Sequence, residues 1–467
     1  MSHVLDQPLA HVAQALRSRT VSAAELTEEA LRRIDALDGR LHAYKHVAAD
    51  AARAMARRAD ATLDGDDDPP PLCGIPVSVK DLYGVEGMPT FAGTARRLPD
   101  AWSRDGWLVA RLRAQGAVLL GKTHTVELAY GAVGINPHWG TPWNPRDGRV
   151  QRIPGGSSCG AGVSLLEGSA LVALGTDTGG SIRIPAGMTG VVGHKTTHAR
   201  WSVDGVVPLS TTLDSVGGLT RTVEDSAWFF GAVDPAWGDP RSLLREMAGA
   251  PAPRVGIPRC DIWEECAPDI ADALHRALDA LAAAGWKRAD VDGRGLDDAV
   301  HLYRHGGIAG AECRAFLARE LAEWPAILHP TVGSRLEKAP ALTSGSYAAA
   351  MAERWRRVAD APRLFEAVDV LALPTVMITP PPVAELDDLE RYLEVNAAAL
   401  RPTCAVSVLG LCAVTLPVGL DATGMPVGLQ LVAPAGRDEA VLGAAAGVEQ
   451  VLGTLAPPAL EAFGSAG

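Results

Sequence analysis

Apolar positions recur along this chain in two rhythms, one helical and one of strands. Leu26, Ala30, Leu31, Ile34 and Leu37 form a helical stripe behind Ser22 and Glu25, whose spacing predicts a capping box. A second helix is expected from Val47 to Ala61, ending before the acidic, proline-rich stretch Asp64 to Pro71. The period then changes to two. Ile75, Val77 and Val79 alternate with Pro76, Ser78 and Lys80, which predicts a short strand with one buried face and Lys80 near its end. A helix from Asp105 to Gln115, stopped by Gly116, leads into a strand from Ala117 to Leu120. Thr125 to Gly131 reads as a short helix, followed by a loop rich in proline, glycine and tryptophan.

Further along, Leu171 to Gly175 predicts a strand and Val191 to Lys195 resumes ordered structure. Thr222 and Asp225 are spaced to start a helix that continues to about Phe230. Arg254 to Pro258 reads as a strand and Ile270 to Ala284 as an amphipathic helix. The region from Asp297 to Val368 is mostly helical, with breaks at Gly306-Gly307 and from Pro325 to Pro340. Asp369 to Pro374 is a strand. Cys412 to Leu420 and Pro426 to Val432, separated by a turn, predict an antiparallel pair, and a last helix runs from about Asp438 to Gln450. Recurring strand, glycine turn and helix point to an α/β protein with a covered sheet. Without repeats or an obvious linker, one complex domain over 1–467 is the preferred division, with N-terminal helices at about 1–65 and a variable, mostly helical peripheral region at about 235–368.

Composition narrows the function. At 47% hydrophobic and 21% charged residues the chain is an ordered protein, and its formal net charge of −12 with no dense basic run argues against direct nucleic-acid binding. Seven cysteines without C-x-x-C spacing, and a chain start without a basic-then-apolar signal, fit reduced thiols in the cytoplasm. No apolar run reaches the 18 residues a membrane span needs.

The candidate chemistry lies in two glycine-rich knots between Pro154 and Ala186. In Thr178-Gly179-Gly180-Ser181, backbone N–H groups can converge on one point beside a hydroxyl, as acyl transfer requires; the same glycines also serve an ordinary tight turn. In the first knot, Ser158 is central to a G-x-S-x-G pattern, but the polar, proline-terminated stretch before it makes a poor nucleophile elbow. Lys80 reads locally either as a solvated edge residue or as a base.

Together these segments resemble the amidase signature family. The likeness is carried by Gly74 to Asp81, by Gly155-Gly156-Ser157-Ser158, by Gly175 to Ala186, by Leu213-Asp214, Val216-Gly217 and Arg221 to Asp225, and by Gly424 to Gln430. The resemblance implies a single α/β domain with a central mixed, twisted sheet covered by helices on both faces. It also implies a hydrolase of small-molecule carboxamides with Ser181 as nucleophile, Ser157 as bridging serine after a cis peptide, and Lys80 as terminal base. Thr178, Gly179, Gly180 and Ser181 would form the oxyanion hole. Ser158, Asp177 and Arg183 are supporting candidates, the last two as a pair bracing the loop. No cofactor is implied, and a homodimer is.

The chain departs from the family pattern at Cys159, where glycine is usual, and at His194, Thr196 and Ala199, where Leu, Pro and Gly are common. The loop from Glu127 to Asn144 offers Tyr130, His138, Trp139 and Trp143 as substrate-pocket candidates, with Cys159 beside them; aromatic residues serve equally as anchors. His194/His198 and His301/His305 are four apart but lack the H-E-x-x-H pattern, so no metal is expected. The alternative reading is the glutaminase-like component of a tRNA-dependent amidotransferase, working with a basic partner protein; Ile184, where such components usually have glutamine, favours a stand-alone amidase. A noncatalytic scaffold is a third reading.

Overall fold

Every residue of the strand Pro76–Lys80 is buried, on both of its faces, in the computed structural model of the protein. The one-sided alternation expected from its sequence is overridden because the strand sits inside the sheet, so Ser78 and Lys80 are enclosed as fully as the valines. The structure describes residues 3–338 and 343–464.

Eleven strands form one mixed sheet: β1 (Tyr44–Val47), β2 (Pro76–Lys80), β3 (Val118–Thr123), β4 (Val172–Asp177), β5 (Val192–Lys195), β6 (Ser215–Thr220), β7 (Val255–Arg259), β8 (Arg288–Asp292), β9 (Val370–Pro374), β10 (Cys412–Leu420) and β11 (Pro426–Ala433). Their spatial order is β1-β3-β2-β4-β6-β5-β10-β11-β9-β7-β8. β2 runs parallel to both β3 and β4, whereas β4 and β6 are antiparallel. β3, β4, β6, β9 and β11 are buried at every position, which requires cover on both faces. The edge strand β8 alternates between exposed and half-buried positions instead.

Ser22 and Glu25 do form the expected capping box, at the start of the helix Ala23–Leu41. Several segments differ from the sequence reading. The peripheral region around 235–368 is not only helical, since β7 and β8 from it extend the sheet at one end. Within the expected break from Pro325 to Pro340, residues Pro330–Lys338 are helical; 339–342 lie outside the described residues. Thr125 to Gly131 makes only a single 3-10 turn, Glu127–Ala129, because Leu128 and Ala129 take positive φ (50° and 56°) and Leu128 N–H is drawn to the Ala92 carbonyl at 2.8 Å. A long helix, Leu389–Val408, had no counterpart in the sequence reading; its interior Pro402 and buried Asn396 interrupt the apolar stripe.

Candidate active site

The parallel strands β2 and β4 end side by side, and their carboxyl ends place Lys80 and Thr176 together. Lys80 Nζ lies 2.8 Å from Ser157 Oγ and 2.8 Å from Thr176 Oγ1, and both Lys80 and Ser157 are 0% exposed. With no carboxylate in contact, burial pushes the Lys80 ammonium down to about 7, against the opposing pull of Cys159, Asp177 and Asp214. The Gly156–Ser157 peptide is cis. Just after it, Ser158 N–H donates to the Ser181 carbonyl at 3.2 Å, which ties the two glycine-rich knots together. Ser158 Oγ donates to the Thr176 carbonyl at 3.4 Å and makes no cap on the helix Cys159–Glu167.

The loop after β4 is held by a buried ion pair. Arg183 donates to Asp177 at 2.8 and 3.0 Å, and Asp177 Oδ2 also accepts Ile182 N–H. The same guanidinium reaches the Thr403 carbonyl, Ser407 Oγ and Gln430 Oε1, so it links the loop to the helix Leu389–Val408 and to β11. Burial opposes ionisation of Asp177, but Arg183 outweighs it and holds the carboxyl below its usual range. Gly180 has φ +140°, and a Cβ there would overlap Thr403 Oγ1, so the loop has room for glycine alone. Among the described residues, the backbone N–H groups of Gly179, Gly180 and Ser181 have no protein acceptor. They are free to donate to a charge that develops beside Ser181.

Ser181, 4% exposed, opens with Thr178 and Gly179 onto a narrow cleft that holds about 10 Å³ of free space, room for one water molecule. Of the pocket candidates, Tyr130 lines this cleft. The other four are set elsewhere. Trp139 is an anchor, donating from Nε1 to the Thr94 carbonyl with Lys45 Nζ 3.5 Å above its ring. Trp143 meets Phe463 edge-to-face and lies under Arg40. His138 Nε2 is 2.7 Å from buried Glu127. Cys159 is fully enclosed at the first turn of its helix, and burial pushes its thiol up to about 12, so it stays protonated and inert.

Ala129 and Gly131 line it beside Tyr130, and four further wall residues were not among the sequence candidates: Leu209, Tyr303, Arg335 and Leu400. A larger surface hollow of about 310 Å³ near Met55 and Arg113 is lined by none of the sequence-predicted site residues.

A family model described as Amidase matches residues 25–442. The chain belongs to the amidase signature family. It is 45% identical over 453 residues to the 2-amino-5-chloromuconic acid deaminase of Comamonas testosteroni, covering 95% of this chain and 96% of that protein. A component of the glutamyl-tRNA(Gln) amidotransferase of Acidothermus cellulolyticus is 33% identical, over 96% of this chain and 95% of that one. A crystal structure of an amidase superposes with a TM-score of 0.84 at 34% identity, covering 96% of this chain and 100% of the other.

The activity is therefore that of an amidase, hydrolysis of an amide C–N bond in a small molecule. The likeness to the deaminase exceeds that to the amidotransferase component. The departures from the family pattern at 194–200 fall away from the cleft. His194 and Arg200 face Asp438, as do Thr197 N–H and Oγ1. Ala199 holds φ 62°, a conformation glycine adopts without strain, which accounts for the glycine usual there.

Proposed function

We propose that the chain hydrolyses its amide through a serine acyl-enzyme, with Ser181 as nucleophile, Ser157 as proton bridge and Lys80 as base. The observation that carries this reading is the buried Lys80 amine, 2.8 Å from Ser157 Oγ, whose pKa of about 7 leaves a substantial neutral fraction at physiological pH. In the first step Ser157 passes its proton to Nζ as it accepts that of Ser181. Ser181 Oγ bonds to the carbonyl carbon, and the oxyanion takes hydrogen bonds from the N–H groups of Gly179, Gly180 and Ser181. When the intermediate collapses, the C–N bond breaks and the proton held by Lys80 returns through Ser157 to the leaving nitrogen. Water then attacks the acyl-enzyme with the same relay, releasing a carboxylic acid and restoring Ser181. Asp177 and Arg183 keep the loop in shape, and Ser158 holds the two serine segments in register.

The similarity to a deaminase supports ammonia as the leaving group. The charge of −12 supports a small-molecule substrate rather than a nucleic acid. Seven unpaired, buried cysteines support a reducing compartment such as the cytoplasm. Among the described residues no helix is long and apolar enough to cross a membrane.

The test is ammonia release from a panel of primary amides and amino-substituted unsaturated acids, with wild type and Ser181→Ala. Wild type should release ammonia and Ser181→Ala should not. Undiminished release by Ser181→Ala would overturn the assignment.

A further inference from the structure

Arg335 is the one charged side chain on the cleft beside Ser181 among the described residues. It projects from the helix Pro330–Lys338. Its Nη1 donates to the Tyr130 carbonyl at 2.6 Å, and its guanidinium carbon lies 4.0 Å from the centre of the Tyr130 ring. These contacts hold the guanidinium in one orientation and use one of its five N–H donors. No acidic side chain lines the cleft, and among the described residues no carboxylate is ion-paired with Arg335. Two acids on segments that border the cleft are engaged elsewhere: Asp214 accepts from Thr178, Leu209 and Ser210, and Glu127 accepts from His329 N–H and contacts His138. Tyr303 shares the cleft, its hydroxyl so close to Gly179 that a Cβ there would collide with it, so it packs directly on the proposed oxyanion loop.

A half-buried guanidinium facing a narrow cleft loses hydration and gains no protein counter-charge in return. We propose that the substrate supplies that charge: Arg335 binds a carboxylate of the substrate, so the enzyme acts on small acids that carry the scissile C–N bond a few bonds from a free carboxylate. The planar N–H fork of arginine matches a carboxylate through two parallel hydrogen bonds. Arg335 then acts as a specificity-determining residue that sets the distance between the anchored acid and the nucleophile. This proposal rests on Ser181 being the nucleophile.

The test has two arms. In the first, kcat/KM is measured for the monoamide of a short dicarboxylic acid and for its methyl ester, with wild type, Arg335→Met and Arg335→Lys. Wild type should prefer the acid by at least about thirty-fold, the scale of losing one partner of a desolvated charge pair. That ratio should collapse toward unity in Arg335→Met and be intermediate in Arg335→Lys, which keeps the charge but not the fork; should Arg335→Met fail to fold, Arg335→Lys carries the comparison. A wild type that prefers the ester, or a ratio that survives in Arg335→Met, overturns the proposal.

In the second arm, the short dicarboxylic acid itself is titrated calorimetrically into Ser181→Ala with and without Arg335→Met. Binding at least about tenfold weaker without the arginine is expected, on the same charge-pair scale, and equal binding in the two overturns the proposal. Because this arm needs no turnover, failure of carboxylate binding is distinguishable from failure of the nucleophile assignment, which full activity in Ser181→Ala would reveal.

Discussion

Thr178 Oγ1 donates to Asp214 Oδ1 at 2.5 Å. The other oxygen of the same carboxylate accepts the N–H groups of Leu209 and Ser210 at 3.0 and 3.1 Å. One buried side chain thereby joins two walls of the cleft, the glycine-rich loop at Thr178 and the segment at Leu209. Burial pushes the Asp214 carboxyl up to about 6, and the three donors only partly offset it.

Removing that junction leaves three donors without an acceptor. Asp214→Ala should therefore lower stability by about 2–4 kcal/mol, read as a fall in Tm, whereas Asp214→Asn retains an acceptor for the backbone groups and should cost much less. Equal Tm values for the two variants would show that the carboxylate does not join the walls.

Lys80 sets the pH dependence. As a base it must be neutral, so kcat/KM should rise with pH and level off above an apparent pKa near 7. In stability the sign is the same: the folded pKa lies below the unfolded value of 10.5, so the unfolded chain binds more protons between about 7 and 10.5 and stability grows as pH rises through that window. Lys80→Met should reduce kcat by several orders of magnitude, and whatever activity remains should lack the acid limb near 7. A profile identical to wild type would remove Lys80 from the relay.

Gly180→Ala should disable the loop. Its φ of +140° is strained for any side chain, and the new methyl would collide with Thr403 Oγ1 and meet Ile184 Cδ1 at 2.7 Å. The expected loss is at least about 1–3 kcal/mol from backbone conformation alone, with kcat reduced further by displaced N–H groups. Adding Thr403→Ala should not restore activity, because the φ penalty and the Ile184 contact remain. Rescue by the double variant would show that crowding at Thr403 is the whole effect.

Arg183→Met should be among the most damaging single changes outside the proposed triad. It leaves Asp177 charged and unpaired at 0% exposure, at a cost of about 3–5 kcal/mol. Asp177→Asn combined with Arg183→Met should recover part of that loss, since no unpaired charge remains. Yield of folded protein and Tm of the single and double variants, set against wild type, measure it.

How much was legible depended on whether a feature is local. Ser157, Ser181 and Lys80 stand in short motifs singled out by their likeness to the amidase signature family, and the structure brings Lys80 to Ser157 and ties the Ser157 and Ser181 segments through Ser158. The pocket was harder. Its candidates came from the aromatic content of one loop and from a cysteine beside it, but Trp139 and Trp143 spend their rings on cation and edge contacts, and Cys159 is sealed under its helix. Tyr303, Arg335 and Leu400 sit on helices whose sequences look like any other amphipathic surface, far along the chain from Ser181.

By itself the sequence determined a likeness: the β-patterned and glycine-rich motifs around Lys80, Ser157 and Ser181 resemble the amidase signature, whereas local pattern left Lys80 open between edge residue and base. Tertiary structure decided the electrostatics and the walls of the cleft. The Lys80 ammonium is disfavoured because β2 is closed in by β3 and β4, where water no longer stabilises its charge, and Arg335 lines the cleft with Ser181 because a distant helix packs against Tyr130. Burial and long-range packing belong to no single stretch of chain, which is why no local pattern announces them.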